Sequence, residues 1–210
     1  TWIQSAGALP TSIKVLDAGC GDGINGAVLK RTFAQRAVNC EIVGCDYNPI
    51  RLSRAQSQEY EHIVQADLLQ LPFEDGHFDL ILCSHVLEHI PQDEECLREL
   101  KRVLKPNGLL ILAVPNEGCM IAYMRNHFFQ RSIIRTTDHV NFYTEKKLRL
   151  LVSKIGLEPI TEIMREGFFM PHLGINTRLR EREWGRGLLR IANRMFPSQA
   201  AGLVVGFVKS

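Results

Sequence analysis

Val15-Leu16-Asp17-Ala18-Gly19-Cys20-Gly21-Asp22-Gly23 decides the reading of this chain: an apolar, strand-like run meets a carboxylate, then three glycines at alternate positions. Glycine has no Cβ and accepts positive φ, so such a loop turns tightly and lets a ligand approach the backbone. The carboxylate narrows the choice of ligand. Where a strand-to-helix loop binds a pyrophosphate, bare N–H groups face the anion and an acid would repel it. An acid suits a ligand that brings a cation to this corner, such as an amino-acid ammonium. Gly21-Asp22-Gly23-Ile24-Asn25-Gly26 also fits the dinucleotide pattern, but formally only. Its glycines come too late for the turn, and Asp22 would crowd negative charge onto a pyrophosphate.

Outward from this loop, short apolar runs recur at Ile13–Ala18, Glu41–Asp46, His62–Asp67, Phe78–Ser84 and Leu109–Pro115. Helix-like stretches fall between them at Asn25–Arg36, Pro49–Gln58 and Asp93–Leu104. Alternating strands and helices predict βαβ units and a parallel sheet covered on both faces. The helix from Asp93 opens on Asp93, Glu94 and Glu95 and closes on Lys101, Arg102 and Lys105, matching the helix dipole, and Pro106-Asn107-Gly108 is expected to stop it. Beyond Pro115 the spacing predicts a helix over Thr144–Ile155 with Thr144 as its cap and Gly156 as its stop. Strands are expected at Glu158–Arg165 and Gly202–Lys209. The whole reads as one domain over 1–210, with a cofactor-binding core at 13–115 and lid or substrate-side insertions at 116–143 and 166–201.

Ligands of open α/β sheets bind at the carboxyl ends of the strands. Polar residues stand at each of these ends: Asp17 with the glycine loop, Asp46, Asp67, and Ser84-His85. A carboxylate has two acceptor oxygens, so Asp46 can take both hydroxyls of a ribose. Asp67 can accept from an exocyclic adenine amine, with Leu68 packing on the ring. One such Asp is usually a cap or turn residue; three in register on successive strands weaken that explanation.

As a set, Val15–Gly23, Asp46, Asp67, Phe78–Ile90 and Arg102–Leu110 resemble the class I S-adenosylmethionine-dependent methyltransferases. The small-molecule members similar to ubiquinone- and menaquinone-biosynthesis methyltransferases are the nearest likeness. Asp138–Thr144, followed by a helix, also looks like many of this group. The resemblance implies an α/β fold, a Rossmann-like three-layer sandwich whose seven-stranded, mostly parallel sheet ends on an antiparallel strand. It implies S-adenosylmethionine as cofactor and S-adenosylhomocysteine as product, with Asp17, Gly19, Gly21 and Gly23 around the methionine moiety. Asp46 and Tyr47 would serve the ribose, Asp67 and Leu68 the adenine, and Ser84 and His85 the methyl-donor edge. The function implied is methyl transfer by direct displacement onto oxygen or carbon of a small-molecule or lipid- or sugar-linked acceptor. A non-catalytic binding module of this fold and an NAD-dependent oxidoreductase are the rival readings.

A hydroxyl acceptor arrives protonated, and histidine is the side chain suited to take that proton near neutrality. The candidates are His85 at the sheet edge and His139 on the far side, with Tyr143 placed to orient the acceptor. His139 could equally anchor the loop before the Thr144 helix, and His85 could cap a turn. Arg186, Arg190 and Arg194 share one helical face of Arg186–Phe196, a basic amphipathic stretch that could meet an anionic membrane or a lipid-like acceptor, or simply cover the sheet. Residues 1–115 carry 10 Lys and Arg against 15 Asp and Glu, whereas residues 116–210 carry 15 against 8, an asymmetry that fits either an anionic substrate or surface on the basic side or solvated faces that merely differ. A net charge of only +2, with no amine-methylating Asn-Pro-Pro-Tyr-type motif, argues against nucleic acid.

Six cysteines form no CxxC pair and do not cluster with histidine, so they are read as reduced thiols of a cytoplasmic chain, and no metal site is expected. No apolar run approaches the roughly 20 residues of a membrane helix. The identity of the acceptor and the oligomeric state stay open.

Overall fold

The computed structural model describes residues 11–55, 59–117, 120, 122, 138–160, 164–168, 184, 185, 187, 191, 195, 198 and 200–209. Its elements are β1 (Ser12–Ala18), α1 (Ile24–Ala34), β2 (Asn39–Asp46), α2 (Pro49–Ala55), β3 (His62–Gln65), β4 (Phe78–Ser84), a 3-10 turn at Leu87–His89, α3 (Asp93–Val103), β5 (Leu104–Pro115), α4 (Glu145–Lys154), β6 (Glu158–Pro159), β7 (Met164–Phe168) and β8 (Ala200–Val208). The sheet runs β3-β2-β1-β4-β5-β8-β6, with β7 also on β8. β1 to β5 pair in parallel, and β8 runs antiparallel to β5. The reversed last strand thus stands where it was expected.

The strand expected over Glu158–Arg165 is split. β6 pairs through Pro159 with Phe207 and β7 through Met164 with Val204, so two segments share one edge position and eight segments make a seven-position sheet. Proline has no N–H to donate and is confined to such edges. A second difference concerns Pro106-Asn107-Gly108. Helix α3 ends earlier, at Val103, where Leu104 turns extended and enters the core fully buried. The three residues then lie inside β5, with Asn107 at φ 61 and the register against β4 shifting between Phe78 and Leu80.

Side chains alternate across the sheet as the strand period requires. Leu16, Val43, Ile81 and Leu110 point to one face, where α3 (Leu97, Leu100) and α4 (Leu148, Val152) cover them. Val15, Ile42 and Leu80 point to the other, with Phe33 of α1. The five described cysteines are free and buried; burial pushes the Cys20, Cys45 and Cys96 thiols up to about 12, keeping them protonated. Among the described residues no helix is long and apolar enough to cross a membrane. Most of the two insertions, including Cys119 and the arginines of 186–196, lies outside the described residues.

Two polar hubs hold the helices. Arg102, near the end of α3, makes a two-pronged pair with Glu99 at 2.8 Å on both prongs, and bonds the carbonyls of Leu71 and Phe73 and the Asp75 carboxylate. Glu99 also accepts from Leu71 N–H at 2.7 Å, so this network ties the loop after β3 to α3. Thr144 caps α4, accepting from Lys147 N–H at 3.2 Å, and Lys101 Nζ closes the other end through the carbonyls of Ile155 and Gly156. The cap and the Gly156 stop (φ 65) agree with the sequence reading.

Tyr143 corrects that reading. It was expected to orient the acceptor, but its side chain is fully buried, and its hydroxyl donates to Asp93 Oδ2 at 2.8 Å. A phenol inside the core presents nothing to a ligand; here it anchors the segment before α4 to the start of α3. Replacing its donor with Tyr143→Phe should cost about 1–2 kcal/mol in urea unfolding, because Asp93 loses a partner. Hydrogen bonds from Arg102 hold the Glu99 carboxyl below the ordinary carboxylate range. Such a depressed acid adds stability that is fully present above its unfolded pKa and lost as pH falls through its folded one. Glu99→Gln should therefore destabilise by about 1–2 kcal/mol at pH 7, and the gap to the native protein should narrow as pH falls below the ordinary carboxylate range, as urea titrations at descending pH would show.

Candidate functional site

Parallel register brings the ends of three strands level. Ala18 pairs with Cys45 on one side and Cys83 on the other, so the next residues, Gly19, Asp46 and Ser84, share one row at the carboxyl edge. Gly19, Gly21 and Gly23 all take positive φ, at 75, 55 and 85. At Gly19 a Cβ would lie 2.3 Å from Val86 Cγ2, so the loop packs directly on the segment leaving β4. Gly23 serves as the left-handed cap from which α1 starts.

Asp46 is 5% exposed and staples the loop to the end of β2: Oδ2 accepts from Gly21 N–H and Oδ1 from Asn48 N–H, both at 2.9 Å. Each oxygen keeps a further lone pair, so the capacity to accept two hydroxyl hydrogens survives. Tyr47 beside it is 74% exposed, an aromatic face on the rim. Asp67 is exposed, and its Oδ1 accepts from Leu69 N–H at 2.9 Å in a tight turn after β3.

Two residues sit deeper than the sequence suggested. Asp17 has no exposed surface; Tyr60 Oη donates to its Oδ2 at 2.6 Å and Asn25 Nδ2 to its Oδ1 at 3.2 Å. Burial raises its pKa against the lowering effect of those two bonds. It lies behind the loop rather than on its wall, bonded to Tyr60 and Asn25. Leu68 is 6% exposed and belongs to the main core, so it cannot cover a ring.

Sequence reasoning missed Tyr60, Asn25 and Arg51. The Tyr60 ring packs where a Cβ of Gly26 or Gly44 would stand, and the Arg51 guanidinium lies over Gly21, 3.8 Å from Asp22. Asn25 and Arg51 follow the loop at distances where a signal existed, since polar residues on the first turns of α1 and α2 face the strand ends. Tyr60 comes from a connection with no motif.

Across the row, His85 is exposed and held at φ 56, a conformation that a residue with a Cβ rarely adopts and that concentrates at functional sites. Its N–H donates to Ala113 O at 2.9 Å, and its Nδ1 lies 3.3 Å from Glu88 Oε1. His139 approaches from the segment before α4, with Nδ1 2.6 Å from Glu117 Oε2 at the end of β5. Both candidate histidines therefore reach one neighbourhood, together with Glu88 and His89. A row of acids and glycines on one side and an imidazole-carboxylate group on the other has the chemistry to hold a cationic nucleoside beside a polar reactant.

The chain's likenesses agree with that chemistry. Residues 16–112 match the family described as a methyltransferase domain. The ubiquinone biosynthesis O-methyltransferase of Pseudomonas aeruginosa strain UCBPP-PA14 is 34% identical over 167 residues, covering 75% of this chain and 69% of that protein. Among solved structures, a possible histamine N-methyltransferase from Thermotoga maritima superposes with a TM-score of 0.67 at 16% identity, covering 100% of this chain and 87% of that one. A putative sarcosine dimethylglycine methyltransferase from Galdieria sulphuraria gives 0.68 at 19% identity, with 100% and 84% covered. At such identities the two structures speak for the fold. With the Pseudomonas relative matched over more than two thirds of its length, this chain belongs to the S-adenosylmethionine-dependent methyltransferases.

Proposed function

We propose that this methyltransferase acts on a hydroxyl group of a small-molecule acceptor, held between Ser84 and the His85 side of the cleft. The observation that carries the reading is the opposition of two chemistries across one row: Asp46 with the glycine loop, and His85 with its carboxylate-linked neighbours. The name of the Pseudomonas relative, an O-methyltransferase, supports oxygen as the atom methylated.

The residues fit the cofactor. Gly19, Gly21 and Gly23 hold the loop at positive φ with bare backbone toward the strand ends, Asp46 keeps acceptor capacity for a diol, and Asp67 keeps its second oxygen for an amine. Ser84 lies level with Gly19, and the exposed Tyr47 ring flanks the ribose corner. Asp17 acts through its field, and Arg51 over Gly21 offers a cation to a carboxylate. When bound, S-adenosylmethionine supplies a methyl group already activated on a sulfonium. The chain's remaining work is to orient the acceptor oxygen and deal with its proton; near-attack alignment alone contributes about 7–11 kcal/mol in favourable cases.

Calorimetry with S-adenosylmethionine and S-adenosylhomocysteine tests the donor half. The wild type should bind both, and Asp46→Ala should lose at least tenfold in affinity; equal binding would remove Asp46 from the site. Incubation with catechols and other phenols tests the acceptor half, the expected products being S-adenosylhomocysteine and an O-methyl ether seen by mass spectrometry. Binding without turnover on any hydroxylated acceptor would favour the non-catalytic module. Gly19→Ala should weaken cofactor binding at least tenfold, because the new methyl strains a φ of 75 and meets Val86. Adding Val86→Ala should restore part of that loss, which a pure φ penalty would not allow.

A further inference from the structure

Asp17 lies on β1 opposite a gap in β2. Its register partner is Gly44, and the ring of Tyr60 comes within 3.0 Å of where a Cβ on Gly44 would stand. The same ring comes within 2.8 Å of the Cβ position of Gly26 on α1. Two glycines thus leave the space through which the phenol reaches Asp17, and its Oη donates to Oδ2 at 2.6 Å. The other oxygen accepts from Asn25 Nδ2 at 3.2 Å. Both donors are neutral, so they fix the carboxylate without bringing it a positive charge. Burial and the adjacent Asp17 push the Tyr60 phenol up, which keeps it protonated and able to donate.

The next residue locks the ring in place. Glu61 N–H donates to Ile42 O at 3.0 Å, and Ile42 N–H returns a bond to Glu61 Oε2 at 2.6 Å. Lys30 of α1 pairs with Glu61 Oε1 and also donates to Cys40 O at 2.7 Å. The connection before β3 is therefore tied to β2 and α1 right beside Tyr60. Packing over two glycines needs only a ring, which phenylalanine would supply. The hydroxyl answers to a carboxylate with no exposed surface, whose burial is costly unless its oxygens are hydrogen-bonded.

We propose that Tyr60 is a positioning residue for the methyl donor: through its bond to Asp17 it sets how tightly the site holds the amino-acid end of the cofactor. The inference rests on the donor half of the reading above. A carboxylate behind a loop of bare backbone attracts a ligand ammonium only while it is ionised, and burial strengthens that attraction relative to water. Burial also raises the Asp17 pKa, and the Tyr60 bond is foremost among the effects that lower it. Without that donor the acid takes up its proton at a higher pH. Facing Asp17 from the neighbouring elements are Asp46 at the end of β2, Cys20 in the loop, Cys45 on β2 and Cys83 on β4. Burial keeps the three thiols neutral, and the Arg51–Asp22 pair lies over Gly21.

Calorimetry compares S-adenosylhomocysteine with methylthioadenosine, a thioether of the same nucleoside that lacks the amino acid. Tyr60→Phe keeps the ring over both glycines; at pH 7 it should lose about tenfold in affinity for S-adenosylhomocysteine, the worth of one pKa unit, and bind methylthioadenosine within about twofold of wild type. The loss should shrink as pH rises, because Asp17 ionises again. Asp17→Asn should show a loss that does not recover with pH, and adding Tyr60→Phe to it should cost nothing further. Asn25→Ala, which removes the longer bond, should give the same pattern at smaller size. Unchanged binding of S-adenosylhomocysteine by Tyr60→Phe overturns the proposal. So does an equal loss for both ligands at every pH, which is what a purely structural tyrosine predicts. Wild type that binds neither ligand would instead sink the cofactor reading on which the proposal stands.

Discussion

The bond from Gly21 N–H to Asp46 Oδ2, 2.9 Å long and buried, is the contact on which the donor side depends. It ties the loop that follows β1 to the last residue of β2, and it works because parallel register already brings Gly19 level with Asp46. It adds to the backbone bonds from Gly19 and Cys20 N–H to Cys45 O and to the exposed pairs of Asp22 with Arg51 and Arg54, and of the side-chain ties it is the buried one. The glycines then matter for a second reason. Their positive φ values let the loop lie flat on Val86, so the segment that leaves β4 is positioned by the loop that leaves β1. The glycine loop and the segment after β4 thus pack as one unit.

The acceptor side depends on a different anchor. Tyr143, buried and bonded to Asp93, fixes the chain just before α4, and the Glu88 carbonyl fixes it again at Val140 and Asn141. His139 stands immediately before these points, with its Nδ1 2.6 Å from Glu117 Oε2. A residue expected to touch a ligand turns out to hold in place the segment that carries a candidate histidine. The same logic applies to Asp17, which shapes the site from behind, with Tyr60 and Asn25 as its partners.

Much of the fold was legible because local rules and tertiary needs agree. The five parallel strands, the dipole-matched helix from Asp93, the Thr144 cap and the reversed last strand each follow from residue type and spacing. Misreadings arose where one residue answered to two demands. Pro106-Asn107-Gly108 has the chemistry of a stop, but Leu104 is drawn into the core and starts the strand earlier. Leu68 has the chemistry of a ring cover, but the core claims it first. Polarity in Tyr143 suggested a surface role, while its hydroxyl found a partner inside.

By itself the sequence determined which segments become the strands of the parallel sheet, that the last strand is reversed, and where the acids and the glycine loop stand at the strand ends. Those features are local: a loop's glycines and the residue ending a strand are set by their own neighbours in the chain. Only the tertiary structure decided which polar groups meet. Tyr60 reaches Asp17 and His139 reaches His89 because separate elements pack on one sheet edge, and no spacing rule encodes a contact made across a fold. Whether a given side chain faces ligand or core is likewise a matter of what covers it, which Asp17, Leu68 and Tyr143 each show.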